Sequence, residues 1–68
     1  MSERNPVIDP RPGDELRGDP WRYRVARNEA SRVTYERYLI NWGYMDTRSA
    51  SLPGWRDMAA SLTVEKVA

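Results

Sequence analysis

The residues in this chain best suited to molecular recognition are arginines set among large aromatic rings. Arg22 and Arg24 alternate with Trp21, Tyr23 and Val25. Arg37 lies between Tyr35 and Tyr38, at the head of a run that continues through Trp42 and Tyr44 to Arg48. A guanidinium donates in a planar fork to carboxylates or phosphates, and an exposed ring offers a face for stacking. Surfaces that bind single-stranded nucleic acid combine the two, with bases on rings and arginines along the phosphates. Exposed Trp, Tyr and Arg are equally the types enriched at protein–protein hot spots. Tyr38, Trp42, Tyr44, Arg48, Arg22, Arg24 and Arg37 are therefore the candidate partner-binding residues, and both classes of partner draw on the same set. Against that stands a plainer reading, in which the aromatics are core and the arginines their solvated neighbours. Ten of the eleven basic residues are arginine, a bias that a coding sequence rich in G and C produces by itself.

Little else could carry a reaction. The chain has no histidine and no cysteine, which removes the commonest general base, the commonest metal ligand, thiolate chemistry and any disulfide. Asp14, Glu15 and Asp46 are the acidic groups near turns. Paired carboxylates do acid/base work only where a deep apolar pocket separates their pKa values, and a small barrel fills its interior with side chains. The glycines are scattered, so no phosphate-cradling loop is present, and no metal-ligand spacing appears. We expect no catalytic, cofactor-binding or metal-binding residue and no enzymatic activity. A net charge of +1 argues against a strong polyelectrolyte for nucleic acid. No run is apolar enough to span a membrane and no signal-peptide core is present, so a cytoplasmic protein is expected.

Positioning those side chains falls to a short chain. Its 68 residues make one domain near the lower size limit for an unaided core, with self-association or a partner as further routes to stability. Residues 1–12 are polar and hold Pro6, Pro10 and Pro12, which predicts an extended, poorly ordered arm before a single domain over 13–68. Pro12-Gly13-Asp14 and Gly18-Asp19-Pro20 are turn signals flanking a short strand, Glu15 to Arg17, with Leu16 facing inward. Trp21 to Arg27 has the period-two pattern of a second strand, and Asn28 to Ser31 reads as a hairpin loop.

The third strand begins near Arg32 and changes phase. Val33 and Tyr35 hold one parity; Tyr38, Ile40, Trp42 and Tyr44 hold the other. A bulge near Glu36-Arg37 accounts for this, and so does a break into two strands. In the second case Trp42 and Tyr44 project beside Arg48. Gly43 marks a bend. The spacing of Leu52, Trp55, Met58, Ala59 and Leu62 predicts a helix over 51–61, capped by Ser51, with Trp55 docking it on the sheet. Alternation from Leu62 to Val67 predicts the last strand.

The fold class is therefore mainly β: a small SH3-like, partly open barrel of four or five short antiparallel strands, with one short helix before the last. The order Pro12-Gly13-Asp14, the Trp21-Tyr23-Val25 strand, Val33-Tyr35, then Ser51-Leu52 leading to Trp55 resembles small SH3-like proteins of bacteriophages and mobile elements. That resemblance covers about residues 10 to 67 and implies a context rather than a site. Such proteins often occupy a surface of a host machine, and inhibitors of host defence, anti-CRISPR proteins among them, are one class. The expectation is a non-enzymatic protein-binding inhibitor or adaptor of that type. The alternative is a nucleic-acid-binding SH3-like module.

Overall fold

The computed structural model describes residues 4–39, 41, 43 and 45–68. The chain runs through β1 (Glu15–Gly18), β2 (Trp21–Glu29), β3 (Arg32–Leu39), β4 (Met45–Ser51), the helix α1 (Leu52–Ala59) and β5 (Thr63–Lys66). All pairings are antiparallel in one sheet of order β4-β3-β2-β1-β5. The helix thus precedes a closing strand that pairs back onto the first, as in an SH3-like barrel. The sheet does not close, so β4 and β5 remain its edges. Among the described residues no helix is long and apolar enough to cross a membrane.

β2 and β3 join through Ala30 and Ser31, both at positive φ (50° and 61°). Two left-handed residues give the mirror-image turn whose twist matches that of the flanking strands. Neither residue is of a type that favours this conformation. The sequence therefore suggested a longer loop, whereas the strands run on to Glu29 and resume at Arg32.

Of the two explanations for the phase change, the bulge at Glu36-Arg37 is absent and the run divides into two strands, β3 ending at Leu39 and β4 beginning at Met45. β3 keeps an unbroken register from Arg32 to Tyr38 against β4, and the irregularity lies opposite it in β2, between Val25 and Arg27. With Ala26 left out of the ladder, Arg27 faces outward beside Thr34 and Asn28 turns inward beside Val33. A regular strand would have buried Arg27 instead, so the bulge keeps a charge out of the core. The phase change of the aromatic run belongs to the break between β3 and β4; Ile40, Trp42 and Tyr44 lie outside the described residues. Gly43 within this connection has φ 68°, a conformation that glycine adopts freely.

Leu16, Val25, Val33, Tyr35, Trp55 and Ala59 form the buried core, with Tyr23, Ala50, Leu52, Met58 and Leu62 packed against it. Tyr35 stands between Tyr23 and Trp55, its ring 6.0 Å and 5.2 Å from theirs in tilted contacts. Such pairs add to area burial by about 0.5–1.5 kcal/mol. Trp55 is fully buried, as the helical spacing predicts. Ser51 caps α1 by accepting from the Gly54 N–H at 3.2 Å, and Pro53 occupies the first turn, where its missing N–H costs nothing.

Residues 4–12, expected as an extended arm, fold back over the domain. Ile8 and Asp9 donate to the Asn5 carbonyl in a tight turn, and Pro6 and Pro10 are buried. The anchor is Asp14, which is fully buried. Its carboxylate accepts from both Arg4 Nη atoms, from the Arg11 N–H at 2.8 Å and from the Ala68 N–H at 2.8 Å. Burial pushes this carboxyl upward, but donation from Arg4 and the two backbone N–H groups outweighs it and holds the group below the ordinary carboxylate range.

A candidate partner-binding groove

The register of the sheet sorts the candidate residues onto two faces, because residues directly opposite in an antiparallel pair share a face. Arg22 stands opposite Tyr38, and Tyr38 opposite Met45; Arg24 stands opposite Glu36. These occupy the outer face, away from α1. Tyr23 stands opposite Arg37, Arg37 opposite Asp46, and Tyr35 opposite Arg48. These occupy the inner face, which carries the core residues Val25, Val33 and Tyr35.

On the outer face lies an open groove of about 550 Å³, lined by Arg22, Arg24, Glu36, Tyr38, Leu39, Gly43 and Met45. It lies beside the Tyr38–Met45 pair that ends the β3–β4 ladder. Three of the seven candidate residues, Arg22, Arg24 and Tyr38, therefore come together there. Leu39 and Met45 supply its apolar part. Met45 is 62% exposed, the most exposed of the large apolar side chains noted on this surface. Arg24 donates to Glu36 Oε1 from Nη2 at 3.0 Å and from Nε at 3.3 Å. Arg22 has no such carboxylate: among the described residues its buried Nε lacks an acceptor. The groove thus presents a basic end at Arg22 and an apolar rim at Met45. Trp42 and Tyr44 lie outside the described residues.

Arg37 and Arg48 belong to a different arrangement. Arg37 donates to Asp46 in a fork, Nε to Oδ1 at 2.8 Å and Nη2 to Oδ2 at 3.3 Å, and its guanidinium lies 4.2 Å from the Trp21 ring centre. Arg48 Nε donates to the second Asp46 oxygen at 3.2 Å. The Arg37 hydrogen bond, joined by that of Arg48, holds the Asp46 carboxyl below the ordinary range. Here the arginines are tied to a carboxylate of the chain, and Arg37 adds a cation–ring contact with Trp21. Had the strand carried a bulge, Arg37 would have pointed outward beside Glu36; its unbroken register turns it inward.

The sequence reading missed Met45 and Leu39. Met45 stands alone among polar neighbours in a strand, Met-Asp-Thr-Arg-Ser-Ala-Ser, that has no apolar alternation. Only the unexplained length between the aromatic run and the helix pointed to a strand there. No protein-family model, curated protein or solved structure matches the chain, so the functional reading rests on these residues alone.

Proposed function

We propose that the chain is a non-enzymatic protein-binding domain that holds an extended partner segment in the outer groove. The observation that carries this reading is the groove itself, which places an arginine whose Nε lacks an acceptor among the described residues, and an outward tyrosine, beside an exposed methionine. Arg and Tyr anchors next to an adaptable apolar side chain are a protein-recognition chemistry. An acidic side chain of the partner pairs with Arg22, and an apolar neighbour packs on Met45 and Leu39. The inhibitor or adaptor role at a host machine rests on the SH3-like resemblance alone.

Charge pairing favours a protein over a nucleic acid. Arg4, Arg11, Arg17, Arg24, Arg37 and Arg48 each lie within salt-bridge distance of a carboxylate of the chain, which leaves few guanidinium groups to neutralise phosphates. Panning a displayed library of random linear peptides against the full chain tests the reading. Enriched peptides are expected to pair Asp or Glu with a large apolar residue. Arg22→Glu should weaken them by at least about tenfold with little change in melting temperature. Equal binding to Arg22→Glu would refute the groove assignment. Tight binding of oligonucleotides that falls steeply with salt would transfer the surface to nucleic acid.

A further inference from the structure

On the opposite face of the sheet from the groove, the chain holds a peptide of its own. Residues 4–10 cross the helix and the hairpin end of the barrel, and their anchors are side chains of the domain set on main-chain carbonyls. Trp55 Nε1 donates to the Pro6 carbonyl at 3.0 Å, Arg56 Nε to that of Ile8 at 3.0 Å and Asn28 Nδ2 to that of Pro10 at 3.0 Å. Pro6 and Pro10 are fully buried, and the Arg4 guanidinium reaches the buried Asp14, Nη2 to Oδ1 at 2.7 Å. Among the described residues no strand pairing ties this segment to the sheet. The segment, folded into a turn at Asn5, is thus held by donors placed on its free carbonyls and by burial of its two proline rings.

We propose that this face is a binding site for a turn-forming segment with an arginine and prolines two and six residues beyond it, filled in cis by residues 4–10 and filled in trans by the same residues of a second copy. Every contact of the segment is available unchanged from another chain, so exchange costs only the rearrangement of its connection and the association itself. That connection is short, residues 11–13, and holds Gly13 at φ 95°. The empty state is the costly one. Without an occupant, the buried Trp55 N–H loses its acceptor and the Asp14 carboxylate loses Arg4. The site therefore passes from one occupant to another rather than standing open. Linkage within one chain gives the cis segment an effective concentration on the order of millimolar, which sets the range where exchange competes.

Two measurements test this. In the first, a fluorescein-labelled peptide of residues 4–12 is titrated with the full chain and with Arg4→Ala, followed by anisotropy. Loosening the cis segment should tighten the peptide by about tenfold. A Pro6→Ala, Pro10→Ala peptide that binds as well as the parent would overturn the proposal. Arg4→Ala also strips a buried carboxylate of its partner and can unfold the chain, so the second measurement uses unmodified protein. Carbon-13-labelled and unlabelled chains are mixed at roughly millimolar concentration, and isotope-filtered contacts are sought between the Pro6 ring of one copy and the Trp55 indole of the other. Their presence, with a dimer in sedimentation, is the expected result. Their absence overturns the proposal whatever the peptide does.

Discussion

Asp14 shows how one side chain can organise a domain this small. It is the one fully buried charged residue among the described residues, and its carboxylate collects Arg4, the N–H of Arg11 and the N–H of Ala68. The two ends of the described chain thereby meet at a single group. A carboxyl held low when folded contributes stability that is fully present above its unfolded pKa, about 3.9, and lost as pH falls through the lower folded value. Asp46 is depressed as well and adds to the same trend. Thermal melts from neutral pH downward should therefore hold steady and then fall below about pH 4. Asp14→Asn should be destabilised at neutral pH, by about 3–5 kcal/mol for a broken buried pair, and should lose much of that acid dependence. A variant whose melting temperature parallels the parent's at every pH would show that this carboxylate does not organise the fold.

At the scale of elements, the hairpin between β2 and β3 holds the candidate groove together, since Arg22 and Tyr38 face each other across it. Its turn residues, Ala30 and Ser31, sit at positive φ, which costs an L-residue about 1–2 kcal/mol. The double substitution Ala30→Asn with Ser31→Gly supplies the residue types this turn favours and should stabilise the domain by about 1 kcal/mol. That corresponds to a rise of several degrees in melting temperature. No rise, or a fall, would mean that the turn is not of this type. The strands around it were legible because Val25, Val33 and Tyr35 keep period two, and α1 because Trp55 and Ala59 keep the helical one. Three features were not legible. The β2 bulge was hidden because Ala26 interrupts a strand whose parity then favours neither phase. β4 lacks apolar alternation, since only Asp46 and Ala50 of its residues are half-buried. The turn carries no glycine or asparagine to announce itself.

For the whole molecule, the sheet separates the candidate groove from the face that residues 4–10 cover. The outer face carries the groove, of which Arg22, Arg24 and Tyr38 were legible from their place among aromatics. Arg37 and Arg48 shared those credentials in sequence, yet both pair with Asp46 on the other face of the sheet, and no local pattern distinguishes the two outcomes. The packed segment 4–12 was hidden for a similar reason: prolines and polar residues read as an arm unless the carbonyl-seeking side chains of Trp55, Arg56 and Asn28 are known to converge on it. A chain with its partner segment on the outer face should touch that partner through Met45 and not through the far end of α1. The most direct measurement places a photo-crosslinking benzoylphenylalanine at position 45 in one sample and at position 57 in another, in the full chain within its native cells. Irradiation should trap a foreign protein from position 45 and leave position 57 without one. Capture of that protein from position 57 and none from position 45 would contradict the groove as the binding surface.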